Sequence, residues 1–215
     1  MSFDIQDIMK SLSEKRPVFH SEADFQLAFA WEIKEHFPEC EIRLEYVIPD
    51  LGYHLDVLVW LDGQLVPIEL KYKTLKSLFT IKTEIFSLKG HGAQDIGRYD
   101  IIKDIVRIEH IVGKLKCPIG YTVSLTNDPS YWIPANRMTI ADDLRLPEGR
   151  VLTGDLGWAE HAGAGSTKGR ENRLVLNCEY PLHWVDYSTL AEGRNGSFRY
   201  LSTACRVSYT FPESM

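Results

Sequence analysis

The chain predicts an α/β protein with a mixed central sheet flanked by helices, and three observations carry that prediction. Phe25, Phe29, Ile33 and Phe37 recur at helical spacing. Two apolar runs, LDVLVW and LVPIELKY, flank Asp62-Gly63, a strong two-residue hairpin signal. A second helical stripe, Ile101, Ile105, Ile108 and Val112, widened by Ile102 and Val106, precedes the apolar run CPIGYTVSL at 117–125. The order helix, strand, hairpin, helix, strand places helices on the faces of one sheet.

Taken in order, residues 1–16 read as a short, weakly amphipathic helix or arm. Ser21 and Asp24 fit a capping box for the helix carrying the phenylalanines. EIRLEYVI (41–48) reads as a strand, and Pro49, Asp50 and Gly52 break it. Residues 74–90 fit either a strand or a meandering loop. A helix runs from about Gly92 to Lys114. Residues 128–170 are rich in Pro, Gly and Asn and read as loops wrapping the core. RLVLNCEY, HWVDY and SFRYLSTACRVSY read as late strands. The expected organisation is one domain over 1–215, with a core at 17–127 and a C-terminal β/loop elaboration at 128–215 packed on it.

Composition narrows the function. At 215 residues and 44% hydrophobic content the chain suits an ordinary globular protein. It has no run of 18 apolar residues and no apolar leader, so neither a membrane span nor a secretory signal is expected. Cys40, Cys117, Cys178 and Cys205 are scattered, which argues for free thiols in a reducing cytoplasm. A net charge of -6 counts against coating nucleic acid through bulk charge. It is compatible with a carboxylate cluster that needs a cation.

The hairpin holds the chemistry. With Asp62 and Gly63 as the loop, Leu61 faces Gln64, Val59 faces Val66, and Asp56 faces Glu69. Leu58/Pro67 falls on a non-hydrogen-bonded pair, where a proline is tolerated. Asp56/Glu69 is then another such pair, with Cα atoms about 4.5 Å apart. Opposed carboxylates repel. Lys71 shares their face, while Val57, Val59, Leu61, Val66, Ile68 and Leu70 form the core face. A hard divalent cation, Mg²⁺ or Mn²⁺, would relieve the repulsion, and the competing account is an ordinary cross-strand ion pair. Glu22 sits at the N-terminal end of its helix's buried stripe, an odd place for a solvated carboxylate.

Asp56, then Glu69-Leu70-Lys71 on the next strand, resembles the PD-(D/E)XK nuclease superfamily, the restriction-endonuclease-like fold. Glu22 resembles that family's helical acid. Gly92-Ala93-Gln94-Asp95-Ile96-Gly97-Arg98-Tyr99 resembles the glutamine motif of RecB-like members. His54-Leu55 rather than Pro precedes Asp56, and Gln94 and Tyr99 are five apart where the family has four. The resemblance covers about residues 20–125. It implies metal-dependent phosphodiester hydrolysis, with DNA favoured over RNA. Asp56, Glu69 and the Leu70 carbonyl would hold Mg²⁺ or Mn²⁺, with Glu22 direct or through water. Lys71 would orient the attacking water, and Gln94 would fix Lys71 or the substrate. Arg98, Lys73 and Tyr99 are expected on the substrate side. A homodimer or a targeting partner protein is compatible with this reading, and so is a silent nucleic-acid-binding module that keeps the fold.

Other features invite blander readings. GAGSTKGRE (163–171) fails the phosphate-loop pattern and reads as a mobile loop, with Lys168 and Arg170 as phosphate contacts at most. Trp132, Trp158 and Trp184 are expected in the core or as loop anchors, and His20 and His91 as structural or surface residues.

Overall fold

A computed structural model describes residues 3–49, 51–193 and 195–206. Asp50 in the expected chain break and 207–209 of the last expected strand lie outside them. The chain runs α1 (Ile5–Lys15), α2 (Glu22–His36), β1 (Glu41–Ile48), β2 (Tyr53–Leu61), β3 (Gln64–Lys73), β4 (Ser77–Ile81) and β5 (Glu84–Leu88). Then follow α3 (Gln94–Leu115), β6 (Ile119–Thr126), two 3₁₀ turns, β7 (Val151–Leu156), the single turn α4 (Ala164–Thr167), β8 (Leu174–Pro181), β9 (Trp184–Thr189) and β10 (Ser197–Arg206).

Six strands form the central sheet in the order β1-β2-β3-β6-β10-β9. It is mixed. β3 and β6 are parallel, Glu69 beside Thr122 and Lys71 beside Ser124, and the other neighbours are antiparallel. Parallel neighbours need a crossover, and α3 supplies it. The hairpin turn forms as expected, with φ 50° at Asp62 and 74° at Gly63, the double positive φ of a type I′ turn. Leu61/Gln64, Val59/Val66 and Leu58/Pro67 pair in the expected register.

Both faces of the sheet are covered. On one, Ile8, Met9 and Leu12 of α1 and Phe25, Phe29 and Ile33 of α2 pack on Val57, Val59, Ile68, Leu70 and Tyr72. On the other, Ile101, Ile102, Ile105, Ile108 and Val112 of α3 pack on Leu58 and Leu201. β7 and β8 pair as a separate ribbon and close this second core with Leu152, Leu174 and Leu176. Burial on both sides explains the unbroken buried run 66–70 of β3.

Three expectations change. Residues 74–90 are neither one strand nor a loop but a two-stranded hairpin apart from the central sheet. The expected C-terminal elaboration does more than pack on the core, because β10 and β9 extend the central sheet beyond β6. The face of Asp56, Glu69 and Lys71 does not point away from the core, since α3 lies across it.

Candidate active site

Asp56 stands where the strand pairing fails on both sides. Between β1 and β2 the pairing skips Glu45/Asp56 and resumes at Tyr46/Leu55, and Glu45 has φ 52°. A left-handed glutamate is strained by roughly 1–3 kcal/mol, a distortion that clusters at functional sites. Gln26 Nε2 fills the gap, donating to Glu45 Oε1 at 2.8 Å and to the Asp56 carbonyl at 2.7 Å. Between β2 and β3 the pairing ends at Val57/Ile68, so Asp56 and Glu69 are not the ladder pair that the register implied. The Leu70 N–H instead donates to Asp56 Oδ2 at 2.6 Å.

Glu69 is 1% exposed. Neither of its carboxylate oxygens makes a well-directed hydrogen bond, although Arg107 Nη2 lies 2.9 Å from Oε1. We read that contact as an ion pair with poor hydrogen-bond geometry. Lys71 Nζ pairs with Asp104 Oδ2 at 2.9 Å and donates to the Leu70 carbonyl at 3.1 Å. Arg107 Nη1 reaches Asp104 Oδ1 at 3.3 Å, and its guanidinium lies over the Tyr53 ring and donates to the His54 carbonyl. Glu22 accepts the Tyr72 N–H at 2.7 Å, and its charge reaches Lys71.

The electrostatics follow. Burial first, then the charges of Asp104 and Asp56, push the Glu69 carboxyl up to about 10, against the pull of Arg107. Burial raises Asp104 too, partly countered by Lys71 and Arg107. Burial alone would depress Lys71, but Asp104, Asp56 and Glu22 outweigh it and hold the ammonium above its ordinary value. With every group charged, four carboxylates (Glu22, Asp56, Glu69, Asp104) face two cations (Lys71, Arg107), a surplus of two negative charges. Hard oxygen donors with that surplus suit one Mg²⁺ or Mn²⁺. The carboxylates nevertheless turn toward Lys71, Arg107 and the Leu70 N–H. Among the described residues no group of three or more His, Cys, Asp or Glu side chains is set to hold a metal ion.

The glutamine-motif residues go elsewhere. Gln94 Nε2 donates to Asp128 Oδ2 at 3.0 Å, not to Lys71. Arg98 pairs with neither Glu22 nor Asp56, and donates to the Ser130 carbonyl at 2.7 Å. Tyr99 is 2% exposed, donates to the Asn172 carbonyl and stacks on Trp158. Lys73 is half-buried at the end of β3, and its charge acts on His91. His91 Nδ1 accepts the Thr74 N–H, and His20 pairs with Glu84. Trp184 is buried and Trp132 packs against it. Arg170 is tied to Asp100 of α3 at 2.8 Å, so the glycine-rich segment is anchored.

Asp104, Arg107, Gln26 and Glu45 escaped the sequence reading. Asp104 had a signal, since it falls three residues after Ile101 and four before Ile108, within the apolar stripe of α3. Arg107 follows it by three, the spacing of neighbours on one helix surface. Comparison with protein-family models, with characterised proteins and with solved structures finds no match.

Proposed function

We propose that this chain is a metal-dependent nuclease of the PD-(D/E)XK type, hydrolysing phosphodiester bonds in nucleic acid, with DNA the first substrate to test. The observation that carries the reading is Glu69, a carboxylate buried among other acids, ion-paired to Arg107 without a well-directed hydrogen bond, beside Asp56 and Lys71. Such a group is costly to keep, and a core needs none. Asp56, Glu69 and the Leu70 carbonyl would hold Mg²⁺ or Mn²⁺. The ion would acidify a water and neutralise charge on the phosphoryl group. Lys71, fixed by Asp104, would orient the attacking water and stabilise negative charge on the phosphoryl group. Asp104 and Asp56, with a smaller share from Glu22, keep Lys71 protonated.

A second reading has its own observation. Arg107 on Glu69 and Asp104 on Lys71 already neutralise two of the key groups. If they stay in place, the chain is a silent nucleic-acid-binding or regulatory module. Single- and double-stranded DNA and RNA, incubated with Mg²⁺, Mn²⁺ or a chelator, separate the readings. The nuclease reading expects divalent-dependent cleavage that Glu69→Gln and Lys71→Met remove. Inertness on every substrate, with no Mn²⁺ binding by calorimetry, sinks it.

A further inference from the structure

Arg98 is a buried cation that pairs with no carboxylate among the described residues. It is 8% exposed, and no ion pair among the described residues includes it. Its Nη2 donates to the Ser130 carbonyl and its guanidinium lies 5.4 Å from the Tyr131 ring centroid. Its Nε has no hydrogen-bond partner, and neither has the buried hydroxyl of Ser130. Asp128 and Asp95 act on Arg98 only from a distance, while the guanidinium of Arg145 repels it. An arginine is almost never this buried without an anion.

Arg98, Ser130 and Arg145 line one open pocket of about 530 Å³, walled by Pro129, Pro134 and Asn136. Arg145 is held in place there. Its Nε pairs with Asp142 at 2.7 Å, and its Nη2 donates to the Arg137 carbonyl at 2.7 Å, which leaves Nη1 unengaged. A neighbouring hollow shares Asn136 and Arg145 and adds Arg137 and Arg150.

We infer that this pocket binds a phosphate oxyanion, held by Arg98, Ser130 and Arg145. One anion would meet both guanidinium charges and screen the repulsion between the arginines, and the Ser130 hydroxyl, shielded from solvent, would rotate to donate to it. The site stands apart from the carboxylate cluster. Arg98 precedes Asp104 by six residues, or about 9 Å along the axis of α3. Phosphate binding does not rest on the nuclease reading; only a nucleic-acid source for it does.

The test uses the full chain in chelator, so metal binding plays no part. Inorganic phosphate is titrated against chloride at equal ionic strength, followed by calorimetry and thermal melting. Phosphate should bind and raise the melting temperature, because a ligand of the native state alone stabilises it. Ser130→Ala and Arg145→Ala should each weaken binding about tenfold, the loss of one charge-assisted hydrogen bond. Arg98→Met should abolish it, and the two milder variants keep the test valid if Arg98→Met fails to fold. A second arm compares one oligonucleotide with and without a 5′-phosphate. Arg145-dependent binding of either assigns the phosphate to nucleic acid, and dependence confined to inorganic phosphate assigns a small molecule. No phosphate-specific effect in the wild type, or one that survives Ser130→Ala with Arg145→Ala, overturns the inference. That result would leave Mn²⁺ binding at Glu69 untouched, and a failure of Mn²⁺ binding would leave the phosphate result untouched.

Discussion

Two carboxylate centres pack against α3, and they differ in how they are satisfied. Glu109 is 9% exposed and accepts from the Asn177 and Cys178 N–H groups, the Asn177 amide and the Tyr180 hydroxyl, between 2.8 and 3.2 Å. It ties β8 to α3 with no opposing cation among the described residues. Glu69 sits deeper and has no sound hydrogen bond. It lies among other carboxylates, opposed by Arg107. Burial alone therefore does not mark a functional carboxylate. A buried acid whose acceptors are all used holds a fold together. One left in conflict weakens the fold and is expected where chemistry needs it.

The sharpest way to break this contrast is to remove Glu69. Under the nuclease reading, Glu69→Gln lowers divalent-dependent cleavage by about 10³-fold, near 4 kcal/mol of transition-state stabilisation. Its effect on stability runs the other way. The folded carboxyl is raised to about 10 from an ordinary 4.5, so the folded state holds a proton that the unfolded chain releases. That contribution is complete below the unfolded value and disappears as pH rises toward the folded one. Melting of the metal-free wild type should fall between about pH 5 and about pH 9, and Glu69→Gln should flatten the fall. Equal slopes in both proteins would show that Glu69 is not in conflict.

The mirror experiment is Glu109→Ala. It strands four donors at once, of which the Tyr180 hydroxyl is buried and the Asn177 groups are exposed, and should cost about 2 kcal/mol, read as a lowered denaturant midpoint. Cleavage per folded molecule should stay near wild type. A large loss of cleavage with stability intact would exchange the roles assigned to the two acids.

Much of this contrast was legible in the chain. Asp62-Gly63 set the hairpin register, and Phe25, Phe29, Ile33 and the α3 isoleucines marked two of the three helices that cover the sheet. Those are local patterns, readable because neighbours in sequence are neighbours in space. The pairing of β10 with β6 joins Thr203 to Thr122 across some 80 residues, and no local pattern announces it. The site divided the same way. Asp56, Glu69 and Lys71 follow from one hairpin, whereas Arg107 on Glu69 depends on where α3 crosses the sheet. Gln94 and Arg98 pointed to the site through the resemblance of their segment to the glutamine motif and through the phase of their helix. The turn around Asp128 and Ser130, which takes them instead, lies outside that phase.

Arg107 lets the comparison be sharpened rather than broken. It is the cation that stands closest to Glu69, so a divalent ion must compete with it. Arg107→Gln should bind Mn²⁺ about tenfold more tightly by calorimetry, a change near 1.4 kcal/mol. If affinity is unchanged in a variant that folds, Arg107 is a bystander and the conflict at Glu69 arises from the other carboxylates alone.

The smallest effect tests the frame that holds both acids against the sheet. Gly120 of β6 lies beneath α3, and a Cβ there would meet Val112 Cγ2 at 2.7 Å, Ile108 Cγ2 at 2.8 Å and Pro67 Cγ at 3.0 Å. Two of these atoms belong to α3 itself, so Gly120→Ala must push the helix off the strand or force its side chains to turn. The expected cost is about 1 kcal/mol, read as a lowered melting temperature. Ile108 and Val112 flank Glu109, while Arg107 and Asp104 lie on the turn before. A lifted helix should therefore loosen the Arg107–Glu69 contact more than the four hydrogen bonds of Glu109, because a single ion pair has nothing to share the strain. Amide exchange resolves the two. Asn177 and Cys178 should keep their protection in Gly120→Ala while Leu70, bonded to Asp56, loses some of its own. Equal loss at both would mean that α3 moves as one rigid body and that the two acid centres rest on a common support.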